Sequence, residues 1–170
     1  DVSYDVFHIF LPALPNFESV VNDYRSDFLK EGGLIIIHST VDVGISRKLK
    51  AVHSPCRGIH PNLVEGIKTF VKYFGGEKAY EAAKIFADLG IKTYISPSSE
   101  DTEALKLWDT TQYFWNVILE KAIYEWCKEN KVDFDLVYTD ANKTYNEGYE
   151  KLGRPEYKKY ILKHIEGKVG

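Results

Sequence analysis

The stretch AVHSPCRGIHP gathers side chains that could bind a ligand directly after an apolar segment. His53, Cys56 and His60 have a spacing that could hold a zinc ion through three ligands. Such spacings are common by chance and no further ligand pair of comparable spacing follows, so we expect no metal site. Arg57 precedes a glycine, and a guanidinium on a turn where the backbone can approach closely suits phosphate or carboxylate. We therefore predict an anionic-substrate turn that uses His53, Arg57 and His60, the alternative being an Arg57 packed on an aromatic ring or paired with an aspartate.

Two other candidate segments follow apolar runs that have the composition of strands. One run stops at Pro12, and the run LIII at 34–37 leads into a histidine, Ser39 and Thr40. Ligands of open parallel sheets lie beyond the carboxyl ends of the strands. We therefore expect Pro12, Ser39 and Thr40 to contact a cofactor or substrate. The alternative is that Ser39 or Thr40 only caps the helix that follows.

A third candidate lies on a predicted helix. Glu103 and Lys106 are three residues apart, and Thr110 and Tyr113 continue the same helical face. A lysine near the mouth of the sheet could act as a general base or stabilise a developing negative charge. The alternative is an exposed ion pair that contributes little to stability.

The elements that must position these residues alternate between strands and helices. Apolar patterns predict buried strands over 6–11, 34–41, 51–53 and 91–96, and a strand near the sheet edge over 68–76. Helical spacing predicts a helix from residue 17 that ends at Gly32-Gly33, a short helix over 43–50 and a helix over 77–89. This alternation predicts an α/β fold with a mostly parallel sheet.

The pattern changes after Pro97. Ser99 can cap a helix with acidic residues in its first turn, and this helix runs for close to 30 residues. Its apolar seam consists of Ala104, Trp108, Thr111, Trp115, Ile118, Ala122 and Trp126. A broad apolar face of this kind should pack against a domain or a partner subunit. A further helix is predicted over 133–151, so the chain divides near Pro97 into an α/β part and an α-helical part.

Composition excludes several classes of function. The net charge is −3 and the sequence has no cluster of lysine and arginine, which argues against a nucleic-acid partner. The longest apolar run is too short to span a bilayer and no secretory signal opens the chain, so we expect no membrane partner and a cytoplasmic location. No G-x-G-x-x-G occurs, and the sequence contains no methionine, which leads us to expect a fragment that starts within a fold.

The order of these features resembles the UDP-glucose/GDP-mannose dehydrogenase family of the 6-phosphogluconate-dehydrogenase-like superfamily. The likeness rests on the strand ending in Pro12, on STVDVG at 39–44, on the strand leading into HSPCRG, and on TEALK at 102–106 opening the long helix. The resemblance implies a partial Rossmann-like NAD-binding domain over 1–97 and a helical central and dimerisation domain over 98–170. It also implies a homodimer formed through the long helix, 99–129.

The resemblance also implies roles for the candidate residues. Thr40 and Lys106 would be catalytic, and Ser39 with Thr40 and Pro12 would contact NAD. An anionic substrate, which the resemblance implies to be a nucleotide sugar, would then be bound by His53, Arg57, His60 and Thr110.

The sequence departs from the family pattern at several positions. Pro55-Cys56-Arg57 replaces a Pro-Glu-Phe turn with a working glutamate, and Thr110 stands where the family has asparagine. The glycine-rich first βαβ unit is missing, and EGKVG at 166–170 resembles the approach to a Gly-Gly-x-Cys segment whose cysteine does not follow. We expect NAD binding only when the missing N-terminal half is present.

Three functions are compatible with this pattern. The first is an incomplete NAD-dependent dehydrogenase of a nucleotide-sugar alcohol, inactive as this fragment. The second is a related NAD(P)-dependent oxidoreductase of the 6-phosphogluconate or prephenate dehydrogenase type, because RGIHP resembles the His-Pro turn of prephenate dehydrogenases. The third is a non-catalytic dimerising module.

Overall fold

The computed structural model describes residues 2–58 and 61–165, which form two compact units divided between Trp108 and Asp109. The strands are β1 (Tyr4–Ile9), β2 (Leu29–Ile37), β3 (Val52–His53), β4 (Lys72–Gly75) and β5 (Thr93–Ser96). The helices are α1 (Phe17–Phe28), α2 (Ile45–Lys48), α3 (Leu63–Thr69), α4 (Ala79–Ala87), α5 (Ser99–Asn130) and α6 (Ala141–Lys151). The units separate within α5. The functional division predicted near Pro97, into an NAD-binding and a dimerisation domain, stays a prediction.

The five strands form one sheet in the order β1-β2-β3-β4-β5. The first three are parallel to one another, β4 is antiparallel to β3 through the pair His53 and Gly75, and β5 is parallel to β4. The predicted α/β class with a mostly parallel sheet and one long helix is therefore confirmed. The carboxyl ends of β1, β2 and β3 lie along one side of the sheet, which we call its carboxyl edge. The carboxyl ends of β4 and β5 lie along the opposite side.

Strand β2 is the centre of the first unit because its apolar run is covered on both faces. Alternate side chains enter two separate cores. Ile35 and Ile37 pack in a cluster with Phe17 and Val21 of α1. Leu34 and Ile36 pack on the other face in a cluster that contains Val52, Phe74, Ala79, Ala82 and Ala83.

The glycine pair Gly32-Gly33 does not end α1, as the sequence had led us to expect. The helix ends at Phe28, and Leu29 already has extended backbone angles and pairs with Tyr4. The register between β1 and β2 is irregular at this point, and Gly32 has a φ of +75°. The glycine therefore serves an irregularity within β2, where a side chain would be strained.

Strand β4 lies inside the sheet, between β3 and β5, and the prediction of an edge position is wrong. The alternation of Phe70, Lys72 and Phe74 with Val71 and Tyr73 predicts that edge position. Lys72 and Phe74 are in fact both buried. Strands β1 and β5 are the outer strands instead, and Tyr4 and His8 of β1 are exposed, although the apolar run of β1 suggested a buried strand.

The first turn of α5 also differs in one detail from the expectation. The helix begins at Ser99, but the hydroxyl that accepts the Glu100 backbone N–H belongs to Ser98. Ser98 therefore performs the capping that was predicted for Ser99. Helix α3 was not predicted at all, because its seven residues follow a turn and carry little apolar periodicity.

The second unit contains the remainder of α5, a π-helical stretch over Asp135–Asp140, α6 and a short 3-10 turn over Pro155–Tyr157. The helix expected over 133–151 is confirmed, apart from the π-helical start. Cys127 and Tyr138 are buried in this unit, and the Glu120 carboxylate lies 2.6 Å from Nδ1 of His164. None of the helices that the structure describes is long and apolar enough to cross a membrane.

Candidate functional site

The candidate residues predicted beyond β1 and β2 lie at one edge of the sheet. The Ser39 hydroxyl donates a hydrogen bond to the Leu11 carbonyl over 2.6 Å, which joins the segments that leave β1 and β2. Pro12 and Thr40 follow these two bonded residues directly, and both are exposed. The Ser39 side chain therefore has a structural partner, and the exposed Thr40 hydroxyl is open to solvent at this edge.

Glu103 holds the loop after Thr40 against the first unit's part of α5. Its carboxylate accepts the Gly44 backbone N–H over 2.6 Å and the Ser46 backbone N–H over 2.8 Å, and the side chain is 0% exposed. These N–H groups lie at the start of α2, where a helix has no internal acceptors of its own. The Glu103 carboxylate supplies the acceptors that these two N–H groups lack within the helix. Lys106 lies on the same helix within the same unit and is half-buried.

His53 is fully buried and links three segments of the first unit. Its Nε2 lies 3.1 Å from the Ser39 carbonyl oxygen and its Nδ1 lies 2.9 Å from the Thr102 hydroxyl. Burial lowers the pKa of His53 to about 4, so the ring is neutral at pH 7 and Nε2 carries the proton that Ser39 accepts. Both nitrogens have protein partners, and the substrate-binding role of His53 stays a prediction.

Arg57 has the environment that was considered as the alternative to an anion site. Its guanidinium carbon lies 5.5 Å from the ring centre of Phe70 and 5.9 Å from that of Tyr73. A guanidinium carries its N–H groups in its own plane, where they suit a phosphate or carboxylate, and can contact an aromatic ring at the same time. The two interpretations are therefore compatible, and the role of Arg57 in substrate binding stays a prediction.

His60 lies outside the described residues, as does the EGKVG segment. Thr110 lies on α5 in the second unit and is exposed, and its predicted role stays a prediction. Within the described ranges, no group of three histidine, cysteine, aspartate or glutamate side chains could hold a metal ion.

A polar cluster that sequence reasoning missed lies at the same edge. His8 of β1, His38 after β2 and Lys72 of β4 meet above the α4 face of the sheet. Nδ1 of His8 lies 3.0 Å from Nε2 of His38, and the two rings are stacked. Nδ1 of His38 lies 2.6 Å from the Ser54 carbonyl oxygen. His38 therefore donates from Nδ1 and accepts at Nε2 from His8.

Hydrogen bonds from Lys72 connect this cluster to the turn that contains Arg57. Its Nζ donates to the carbonyl oxygens of Ser54 and Pro55 over 3.2 and 3.5 Å. The Lys72 side chain is 5% exposed and lies against the rings of Phe74 and Phe86. These bonds give donors to two buried carbonyl groups, of which the Ser54 oxygen also accepts from His38.

Burial sets the protonation of this cluster. Burial, and secondarily the nearby Lys72 ammonium, lowers the pKa of His38 to about 3. The same two causes lower the pKa of His8, and burial lowers the pKa of Lys72. Both imidazoles are therefore neutral at pH 7. The signals for this cluster were a histidine within the apolar run of β1 and a lysine alternating with Phe70 and Phe74.

Comparisons with known proteins show the fold. The UDP-D-ManNAc dehydrogenase of Pyrococcus horikoshii matches with a TM-score of 0.73 at 18% identity, over 84% of this chain and 40% of that chain. The UDP-N-acetyl-mannosamine dehydrogenase of Staphylococcus aureus matches with a TM-score of 0.65 at 23% identity, over 84% of this chain and 42% of that chain. An imine reductase of Bacillus cereus matches with a TM-score of 0.56 at 14% identity, over 87% of this chain and 56% of that chain. No protein-family model and no curated protein matches the chain.

The resemblance inferred from the sequence is thus confirmed as a likeness of fold to UDP-sugar dehydrogenases. The chain spans about two fifths of the length of these two dehydrogenases. Sequence identities this low show that the fold is shared, but they do not show that the reaction is shared. The activity of the whole protein is therefore proposed below.

Replacing Glu103 tests the loop attachment. Glu103→Ala leaves the Gly44 and Ser46 N–H groups without an acceptor in a buried place, and we expect the free energy of unfolding to fall by about 2–4 kcal/mol. Urea denaturation followed by circular dichroism measures this change. The control is Glu125→Ala, an exposed position on the same helix, with an expected change within about 0.5 kcal/mol. Equal effects of the two substitutions would contradict the attachment.

The lowered histidine pKa values predict acid sensitivity. His38 and His53 have folded-state pKa values of about 3 and 4, below the value of 6.5 for an unperturbed histidine. The unfolded chain therefore binds protons that the folded chain does not, and the free energy of unfolding falls as the pH falls below 6.5. Each histidine should contribute about 1 kcal/mol per pH unit.

Urea denaturation at several pH values between about 7 and 5 measures this slope, above the range in which carboxylates become protonated. His38→Phe keeps a ring between Phe10 and Phe86 but removes the titrating group. We expect this variant to lose the part of the slope that His38 contributes, while His8 and His53 keep their parts. An unchanged slope in His38→Phe would show that His38 is not a source of the effect.

Proposed function

We propose that the chain is part of an NAD-dependent dehydrogenase that oxidises an alcohol group of a nucleotide sugar. The observation that supports this most is the arrangement at the carboxyl edge of β1, β2 and β3. There Ser39 joins the segments leaving β1 and β2, and Glu103 attaches the loop after Thr40 to the helix of Lys106. An open parallel sheet binds cofactor and substrate at such an edge.

The residues of this edge fit one part of the cofactor. The exposed Pro12 and the exposed Thr40 hydroxyl would contact the nicotinamide end, with the Ser39 backbone beside them. The pyrophosphate needs a glycine-rich turn, and the 170 residues contain no G-x-G-x-x-G. We infer that NAD binding requires a glycine-rich βαβ unit supplied outside these residues.

Residues of this chain would transfer the proton, stabilise the developing charge and bind the substrate. A nicotinamide bound at this edge supplies the hydride acceptor. Thr40 would relay the proton of the substrate hydroxyl to a bound water and from there to solvent, and the Lys106 ammonium would stabilise the alkoxide that forms. The in-plane N–H groups of Arg57 would hold a phosphate or carboxylate of the substrate. His60 and Thr110 are further proposed substrate contacts.

A small anionic substrate is the second candidate. The support for it is the fixed guanidinium of Arg57, which suits a carboxylate as well as a phosphate. The residue that distinguishes NAD from NADP follows the second strand of a complete Rossmann domain. We also propose a cytoplasmic location.

A fusion enzyme tests the proposed activity. The glycine-rich half of the Pyrococcus horikoshii dehydrogenase is joined to the amino end of this chain, and NADH absorbance is followed with UDP-glucose and with prephenate. We expect NADH with the UDP-sugar, and a roughly hundredfold lower turnover in Lys106→Ala because the alkoxide loses its counter-charge. Lys128→Ala, an exposed lysine on the same helix, is the matched control and should leave turnover unchanged.

The other outcomes separate the candidates. Turnover of prephenate alone would favour the small anionic substrate. Turnover that is unchanged in both Lys106→Ala and Arg57→Ala would contradict the assigned roles. A folded fusion that turns over neither substrate would contradict both enzyme proposals and favour a dimerising module without catalytic function.

We further propose that the chain forms a homodimer through α5. Trp108, Trp115 and Trp126 are 71%, 63% and 55% exposed, which is unusual for tryptophan and typical of interface residues. Sedimentation equilibrium should give twice the chain mass of 19.5 kDa, and Trp115→Glu should give the monomer. Tyr80→Glu changes an equally exposed aromatic residue on α4 and should leave the dimer intact. A monomeric wild-type chain would contradict this proposal.

A further inference from the structure

The opposite edge of the sheet contains a cleft that the proposed dehydrogenase site does not use. Because β4 and β5 run antiparallel to β1–β3, their carboxyl ends lie at this edge, on the same side of the sheet as the amino ends of β2 and β3. The cleft has a volume of about 1040 Å³, which is the size of a small-molecule site. All the residues that line it belong to the first compact unit.

Basic side chains predominate in the lining of this cleft. The lining contains five lysines and arginines and three glutamates. The basic residues are Arg25, Lys30, Arg47, Lys50 and Lys78, and the acidic ones are Glu31, Glu77 and Glu100. Arg47 pairs with Glu100 over 2.6 Å, and Lys30 pairs with Asp5 over 2.8 Å, so these two cations are compensated.

Arg25 and Lys78 have neutral hydrogen-bond partners. Arg25 donates to the Leu49 carbonyl oxygen, and Lys78 donates to the Gly32 carbonyl oxygen over 2.7 Å. These bonds fix the position of both side chains without cancelling their charge. Lys50 is exposed at the same cleft. Three cations from three segments of the chain therefore line one space that is large enough for a ligand, against Glu31 and Glu77 in the same lining.

The backbone brings these segments together closely. A Cβ atom on Gly75 would lie 2.4 Å from the Ser98 carbonyl oxygen, and one on Gly76 would lie 3.2 Å from the Ala51 carbonyl oxygen. The turns after β4 and β5 and the start of β3 are thus in direct contact. The cleft is built on the rigid end of the sheet and not on a separate loop.

We propose that this cleft binds a ligand with a polyphosphate group, held by Arg25, Lys50 and Lys78. Phosphate oxygens accept charge-assisted hydrogen bonds from each of these side chains. Leu29, Ala51 and Pro97 also line the cleft and offer apolar contacts for a nucleoside base. The ligand is therefore either a nucleoside polyphosphate or an inorganic polyphosphate, and the site is separate from the carboxyl edge of β1–β3.

Isothermal titration of the 170-residue chain with ATP and with inorganic pyrophosphate tests the proposal. We expect binding that is at least about tenfold weaker in Lys78→Glu, because an attractive charge becomes a repulsive one. Lys50 has a left-handed backbone φ of +46°, which glycine adopts without strain. Lys50→Gly should therefore raise the melting temperature and at the same time weaken binding, which separates the loss of a ligand contact from a loss of folding.

Two controls locate the binding. Lys92→Glu changes an exposed lysine just before β5, at the edge of the sheet away from the cleft, and should leave the affinity unchanged. Arg57→Ala removes the proposed anion contact of the dehydrogenase site and should also leave it unchanged. Tighter binding of ATP than of pyrophosphate would identify a nucleotide, and equal binding an inorganic polyphosphate.

Three results would overturn the proposal. They are an absence of binding to the wild-type chain, an equal loss in Lys92→Glu and Lys78→Glu, and a loss in Arg57→Ala with none in Lys78→Glu. The last result would place the anion at the dehydrogenase edge, so failure of this proposal is distinguishable from failure of the proposed function.

Discussion

The bond between the Glu103 carboxylate and the start of α2 is the constraint on which the candidate site depends. The loop 40–44 leaves the sheet without regular structure, and α2 has only four residues, so neither fixes its own position. A buried carboxylate that accepts two backbone N–H groups fixes both. His53 adds a neutral bridge from the Ser39 carbonyl oxygen to Thr102, one residue before Glu103. The loop, the third strand and the helix of Lys106 are thereby held in one arrangement.

Strand direction gives this sheet two different functional edges. The reversal at β4 sends Lys72 toward the carboxyl ends of β2 and β3, where it supports the turn of Arg57. The same reversal opens the ends of β4 and β5 into a basic cleft on the far side. Strand β4, which the sequence predicted at the margin of the sheet, therefore contributes to the sites on both of these sides.

The sequence predicted the fold class, most strands and the long helix, because those depend on apolar periodicity that β2 and α5 show clearly. It failed where the determining partner is distant in sequence. Nothing local shows that Lys72 is buried among aromatic rings, that Gly32 serves an irregular pairing with β1, or that Glu103 binds Gly44 instead of acting only on its own helix face. The aromatic packing of Arg57 was foreseen as an alternative, but its rings come from Phe70 and Tyr73, beyond the reach of a motif.

Hydrogen exchange of the Gly44 and Ser46 amides, measured by NMR on the wild-type chain, tests the central claim most directly. If the Glu103 carboxylate holds both N–H groups, they exchange as slowly as the amides of Ile36 and Ile37 in the central strand, even though they lie outside any strand. Exchange at the rate of an open loop would contradict the account, because the loop beside Thr40 would then have no fixed position.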